Sequence, residues 1–510
     1  MSGMRTDEAL RDAPIALGGP DSRMAALGSK IFAVNEKLLL LLFLLTLPLA
    51  NPWVRGDGVG YYAYLRSALI DHDLRFENDY LQANKSFVLS KVDAQGKLLP
   101  RLYTKTGYVE NHFTVGPAIL WAPVMIVVHE AVVIASHLGA HVAPDGYSRP
   151  YRLAMACTTA FYGFLSLFLA FQIARKYFEQ QWALLATVGI WMASSLPIYM
   201  YFNPSWSHTH SAFAVALFLW YWDRTRGART TAQWAILGLT AGLMGNVYYP
   251  NAILLIFPTL EVGHLLLSNR SERDRPMIPL RKLTLGFGLF LGVFASSLLP
   301  TFVTRQIIYG SPFETGYPPI WTWHWTSPAF LQVLFSSDHG MFSWTPVLFL
   351  AAAGLPFLIK RDHLLGKGAL LTFLAYYYFI ASYHDWDGLS SFGNRFFVSL
   401  TPMFILGLAA LLASFSRWLG RPSRALAVAC PVIGLLIVWN AGFIFQWGTH
   451  MIPARGPISW SSMVRQQIYD VPLRITHGVE TYFIRRGEMM QHIEQQDIEQ
   501  QQLGQKTGDQ

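Results

Sequence analysis

Cysteine is almost missing from this chain. The 510 residues include two, Cys157 and Cys430, and both lie inside apolar runs. They read as small side chains buried in a membrane, which excludes a disulfide framework and a cysteine-type metal site. Charge is scarce as well: 14% of residues are Asp, Glu, Lys or Arg, against about 25% in soluble domains. No Gly-rich loop leads into a helix, so a nucleotide-sugar donor is not indicated. No internal repeat is found, although many transporters are built from one. No cleavable signal segment opens the chain: the first apolar run starts near Lys37, without a small-residue cleavage site.

What is abundant is apolar surface. Hydrophobic residues make up 52% of the chain and aromatics 15%. Trp and Tyr favour membrane interfaces, and a spanning helix needs roughly 20 apolar residues. Candidate spans are 37–54, 114–137, 151–173, 182–201, 208–222, 232–248, 250–267, 283–304, 341–359, 365–382, 396–415 and 425–446. The chain is therefore expected to be an all-α polytopic membrane protein with about 11–12 transmembrane helices. Its domains read as a cytoplasmic leader (1–36), a transmembrane module (37–447, with a first external loop at 55–112) and a polar tail (448–510). The tail holds one amphipathic helix around 461–496 and a Gln-rich, disordered end.

The net charge of +8 belongs to short basic loops rather than to a nucleic-acid surface. Arg224, Arg226 and Arg229, the segment 269–282, the segment 360–367, and Arg417, Arg421 and Arg424 mark the cytoplasmic side. Loops 53–113, 202–207, 305–340 and 383–395 then share the external face. One stretch resists this alternation. If 114–137 crosses, the span 151–173 ends externally at Arg175 and Lys176, against the charge rule. Either 114–137 re-enters without crossing or the pair violates the rule.

Polar chemistry gathers in the external loops. Asp57 opens a stretch, 58–71, that fits an interfacial helix rich in tyrosine, Tyr61 among them. Its carboxylate suits either a helix N-cap or a general base, and the roles can coexist. Lys105, Glu110 and His112 precede the apolar run at 114, as phosphate ligands or as interfacial anchors. Arg395 stands at the mouth of an apolar span. Its fork suits a phosphate, or an ion pair with Asp385 or Asp387. His208 and His210 invite a zinc assignment, but no third ligand has helpful spacing, so no metal is expected. Glu130 lies inside an apolar run, either as a functional group or where the run leaves the membrane. Asp338 and His339 form a further polar pair without a specific pattern.

These pieces together resemble the GT-C glycosyltransferases. The nearest branch is that of bacterial membrane proteins related to protein O-mannosyltransferases and aminoarabinose transferases. The likeness rests on Asp57 at the start of an interfacial helix after a single span, on the run Asn111-His112-Phe113-Thr114-Val115-Gly116-Pro117, and on Gly393-Asn394-Arg395-Phe396 through Pro402. It implies a GT-C-like bundle in the bacterial inner (plasma) membrane, serving the cell envelope, with its active face periplasmic. It also implies a hexosyl- or pentosyltransferase that moves sugar from a polyprenyl-phosphate donor to a glycan, lipid or protein acceptor. No other cofactor and no nucleic-acid partner is expected. By resemblance Asp57 is the catalytic carboxylate, and Arg395, Lys105 and His112 hold the donor phosphate. Tyr61, Glu110, His208, Asp385 and Asp387 are candidates for the acceptor or cavity lining. The rival readings are a glycolipid transporter or flippase, and a non-catalytic envelope-assembly protein.

Overall fold

A helix that crosses a bilayer satisfies every backbone group internally, and this constraint organises the chain. The structure, a computed structural model, describes residues 34–271 and 279–508. Most of the expected leader, and residues 272–278 of the basic loop 269–282, lie outside the described residues. The chain divides into two compact units at Leu45/Thr46. Of the first unit only Val34–Leu45 is described, which is all but the last residue of helix Val34–Thr46.

Every apolar run read from the sequence carries helix. Seven helical segments are long and apolar enough to cross a membrane: Gly116–His137, Arg149–Tyr177, Tyr249–Leu267, Leu280–Tyr309, His363–Ser382, Arg395–Leu419 and Pro422–Gly448. The protein is thus all-α among the described residues and multi-pass. The remaining runs form shorter helices. The run at 182–201 breaks after Ala193 and resumes at Ile198–Phe202. The run at 341–359 is split into Met341–Trp344 and Val347–Ile359.

Segment Arg395–Leu419 is the core of the bundle, with 94% of its most apolar window buried, against 28% for Pro422–Gly448. Lipid is as apolar as leucine, so close packing rather than the hydrophobic effect must join such helices. Helices Val347–Ile359 and Thr401–Leu419 meet through two glycines. A Cβ on Gly354 would stand 1.8 Å from the Gly407 carbonyl oxygen, and one on Gly407 would stand 2.2 Å from the Ala351 carbonyl oxygen.

The basic loops cluster at one end of the bundle. There Lys176 reaches Asp223 at 2.8 Å, Arg226 reaches Asp362 at 2.5 Å, and the buried pair Arg229–Glu261 closes at 2.6 Å. Arg175 and Lys176 therefore belong with the other basic loops. Helices Gly116–His137 and Arg149–Tyr177 form an antiparallel hairpin. Trp121 Nε1 donates to Thr159 Oγ1 at 2.9 Å, and His129 Nδ1 lies 2.7 Å from the Tyr151 hydroxyl. The junction between them folds back on the first loop. Tyr62 donates to the Gly146 carbonyl at 2.6 Å, and Arg66 Nε to that of Asp145 at 3.0 Å. Both ends of Gly116–His137 thus adjoin the first loop, as the non-crossing alternative for this stretch requires.

The tail departs from expectation. Short helix Trp460–Arg465, one π-turn, and helices Val471–Ile484 and Arg486–Gly508 follow one another. The Gln-rich end is helical rather than disordered, in keeping with the helix propensity of Gln and Glu.

Placing a branched side chain at the glycine crossing, as in Gly354→Val, forces backbones apart and overpacks the core, at a cost of about 1–3 kcal/mol. Thermal denaturation in detergent should show a lowered Tm for this variant. An unchanged Tm would show that the crossing does not hold the bundle together.

Candidate functional site

Segments far apart in the chain surround one cavity of about 1810 Å³, at the end of the bundle opposite the basic loops. Residues 51–57 and 110–113 come from the first loop, and Asn203 and Trp206 from the short connection before helix His208–Thr225. Residues 313–323 and the segment from Tyr383 to Phe396 complete one side. The tail contributes Tyr482, Met490, Ile493 and Asp497.

Asp57 is the first residue of helix Asp57–Arg66, and Gly56 occupies the cap position with φ 55°. The Asp57 carboxylate makes no capping bond. It accepts from Arg395 Nη1 at 2.5 Å, while remaining near the positive end of the helix dipole. The N-cap reading is therefore replaced by an ion pair, and Arg395 pairs with Asp57 rather than with Asp385 or Asp387. The Arg395 guanidinium lies over the Trp206 ring, 4.7 Å from its centroid. Its Nε is buried without a hydrogen-bond partner. Trp206 is itself fixed by an Nε1 bond to the Arg55 carbonyl at 3.0 Å.

Two glycines allow this approach. A Cβ on Gly58 would stand 1.9 Å from Ser205 Oγ, and one on Gly60 2.1 Å from the Phe113 ring. Helix Asp57–Arg66 can thus lie directly on the segments that carry Trp206 and His112. The second of these segments is clamped by Arg305, which reading of the sequence did not single out. Arg305 Nη1 donates to the Asn111 carbonyl at 2.5 Å, and Nη2 to those of His112 and Phe113 at 2.8 and 2.7 Å. An arginine at the end of an apolar run was the available signal.

His112 lines the cavity between Phe113 and Tyr317, with ring centroids at 4.1 and 4.8 Å. Burial pushes its imidazole down to about 4, against the opposing pull of Asp57. It is neutral at neutral pH and offers a hydrogen bond, not a charge. Glu110 and Asp385 line the cavity too. Asp385 lies 3.1 Å from His384 Nε2 and accepts from the Tyr383 hydroxyl at 3.3 Å.

Other expected residues fall elsewhere. Lys105 is exposed on a turn between Tyr103 and Val109 and does not line the cavity. Lys91 and Arg455 line it instead, cations that the sequence reading passed over. Tyr61 is buried beside Asp57, with its hydroxyl accepting from Ser207 at 2.8 Å. Burial, and then the Asp57 charge, raise its pKa. His208 is buried behind Trp206 and against Tyr199, and His210 packs on Trp121, so the two rings part company. Glu130 is exposed on helix Gly116–His137. Asp387 does not line the cavity but approaches Asp338 and His339.

The tail is strapped across the cavity by polar contacts to the first loop. Asp497 binds Arg55 at 3.1 Å and His450 at 3.0 Å. Glu494 accepts from the Ser86 amide at 2.5 Å and from Asn84. Arg486 donates to the carbonyls of Ala50 and Pro48 at 2.7 and 2.8 Å. Burial alone would raise the Asp497 carboxyl, but the His450 bond and the Arg55 charge outweigh it and hold the pKa below the ordinary value. A depressed carboxyl stabilises the folded state above its unfolded pKa, and that contribution disappears as pH falls through the folded value.

Asp497→Ala removes both contacts. Hydrogen exchange across 486–497 at neutral pH should then be faster than in the wild type. The difference should shrink in acid, below the carboxylate range. Equal exchange in both proteins at neutral pH would show that these contacts do not hold the tail.

No family model matches the chain, and no curated protein matches it. Among solved structures it is similar to the archaeal oligosaccharyltransferase AglB of Archaeoglobus fulgidus, determined in complex with an inhibitory peptide and a dolichol-phosphate. The identity is 13% and the TM-score 0.45; the match covers 91% of this chain and 56% of that one. The chain thus spans little more than half the length of the structure it matches.

Proposed function

We propose that this protein is a membrane glycosyltransferase that moves a sugar from a polyprenyl-phosphate donor to a hydroxyl acceptor at the cavity face. The observation that carries this reading is the Asp57–Arg395 pair. An acid and a guanidinium meet at 2.5 Å in the wall of a cavity large enough for a sugar and its acceptor, and Arg395 still has an unmet donor at Nε.

The chemistry follows from what each group can do. A phosphate presents several acceptor oxygens, and a guanidinium forks to two of them. When phosphate engages Arg395, the Asp57 carboxylate loses part of its hold and becomes free to accept a proton. The acceptor hydroxyl attacks the anomeric carbon, and Asp57 takes its proton. The bond between that carbon and the phosphate oxygen breaks. Polyprenyl phosphate leaves with the bonding electron pair, and Arg395 stabilises the charge that develops on it. Lys91 and the neutral His112 are placed on the same cavity wall to assist. Trp206 beneath Arg395 keeps the guanidinium plane fixed. The aromatic walls of Tyr248, Tyr317 and Tyr383 suit the apolar faces of a sugar ring.

The resemblance read from the sequence supports the same assignment and extends it to a bacterial inner membrane, with the cavity on the periplasmic side. Convergence of the loops taken as external supports one active face.

Asp57→Asn keeps the size of the side chain and an oxygen that can accept from Arg395, but removes the charge. Transfer from a polyprenyl-phosphate sugar should fall by about 10²–10⁴, the usual contribution of a general base. The protein should still purify as a monodisperse species in detergent. Arg395→Ala should lower transfer by about 10²–10³, as when one transition-state donor is lost, and should weaken binding of polyprenyl phosphate itself. Wild-type transfer in Asp57→Asn would refute the assignment.

A further inference from the structure

Among the described residues, and outside the Asp57–Arg395 pair, one cluster of metal-ligand-type side chains has unmet bonding capacity. Asp338 and His339 come from the loop before helix Met341–Trp344, and Asp387 from the loop before Arg395. Each offers one ligand atom, and these atoms all lie within 4.8 Å of one another. His339 is fully buried at 0% exposure, and neither of its ring nitrogens makes a well-formed hydrogen bond, although the Asp387 backbone lies close to the ring. Its Nδ1 stands 3.5 Å from Asp338 Oδ1, and that oxygen is also buried without a partner. Among the described residues, neither Asp338 nor Asp387 forms an ion pair with a lysine or arginine.

Such an arrangement is costly as it stands. Burying an imidazole without well-formed hydrogen bonds at its nitrogens costs free energy that water would otherwise repay. His339 also has φ 55°, a backbone conformation that non-glycine residues seldom adopt. Two neighbouring carboxylates add repulsion. A divalent cation would remove the repulsion and occupy an imidazole nitrogen at once.

We propose that Asp338, His339 and Asp387 form a binding site for one divalent transition-metal ion, of the zinc or manganese type, that ties two loops of the cavity face together. One imidazole and two carboxylates form a mixed nitrogen–oxygen set. It suits zinc or manganese better than magnesium, which keeps mostly water and oxygen ligands. An ion with bonds of about 2.1 Å keeps its ligand atoms roughly 3.0–3.5 Å apart, so modest side-chain rotations complete the site. A neutral imidazole can give one nitrogen lone pair to a metal ion. Burial and the facing Asp387 raise the Asp338 carboxyl. For Asp387 burial again dominates, with Asp385 raising its carboxyl and Arg395 lowering it. Arg395, whose charge reaches the cluster, is already engaged by Asp57, while Asp385 is engaged by His384.

The place of the site gives the ion a positioning role. A Cβ on Gly388, the residue after Asp387, would stand 3.2 Å from Arg395 Cγ, and the neighbouring Ser390 accepts from Arg455. Pinning Asp387 to the 336–340 turn therefore fixes the loop that delivers Arg395 to the cavity. The inference rests on the cluster itself and stands whether or not the protein transfers sugar.

The test uses the full-length protein in detergent, purified with a histidine-free tag, stripped with chelator and dialysed. Metal content after exposure to Zn²⁺ or Mn²⁺, and Tm with and without the ion, are measured. The wild type should retain one ion per chain, and its Tm should rise on adding that ion. His339→Asn, chosen because asparagine tolerates positive φ, should bind at least about tenfold more weakly and lose the Tm rise. Asp387→Asn should do the same and serves as a second variant if the first does not fold. His477→Ala, at an exposed histidine of the tail, should bind like wild type. The proposal is overturned if the wild type retains no ion, if both site variants bind as wild type does, or if binding is lost in His477→Ala.

Discussion

The bond between Arg395 and Asp57 joins residues 338 positions apart in the chain, and the whole cavity face depends on that bond. A guanidinium at the mouth of the most buried segment of the bundle needs a counter-charge, because the surrounding protein and lipid offer it little water. Asp57 supplies that charge only if helix Asp57–Arg66 lies close against the bundle. Gly58 and Gly60 permit this, and Trp206 fills the space beneath the guanidinium. Electrostatics at one pair thus sets the steric requirements at Gly58, Gly60 and Trp206 around it.

A second arginine carries out the complementary task on backbone. Arg305 collects three successive carbonyls of 111–113, groups that no secondary structure would otherwise satisfy in that position. It converts the end of the first loop into a rigid wall and holds His112 at the cavity. The tail adds the remaining wall through Arg486, Glu494 and Asp497. The cavity is consequently enclosed by parts from both ends of the described chain, while the long apolar helices serve as scaffold.

The sequence was most legible where one physical rule acts alone. Length and hydropathy place helix at each of the apolar runs, and the basic loops that share a sign meet at one end. Asp57 and Arg395 were legible singly, because a charge beside an apolar span has to be paired or used. Their pairing was not, since nothing local distinguishes Asp57 from Asp385 or Asp387 as the partner. Lys105 misled because proximity in sequence to His112 is undone by a tight turn that points the lysine into solvent. His208 and His210, two residues apart on a helix, diverge too far to share a ligand. Asp338 and Asp387 come from different loops, so no spacing pattern could announce that they meet at His339. The hairpin at 116–177 was ambiguous from charge alone, and side-chain contacts from the first loop to the 138–148 junction favour the non-crossing alternative.

Transfer and transport make opposite demands on the same cavity, and the fate of the sugar separates them. The wild-type protein can be placed in liposomes carrying a polyprenyl-phosphate sugar with a labelled sugar moiety, together with a hydroxyl-bearing acceptor on the cavity side. A glycosyltransferase releases unlabelled polyprenyl phosphate and joins the label to the acceptor, at a rate that depends on acceptor concentration. Label that crosses the bilayer while still attached to the isoprenoid, with no polyprenyl phosphate released, would contradict the account.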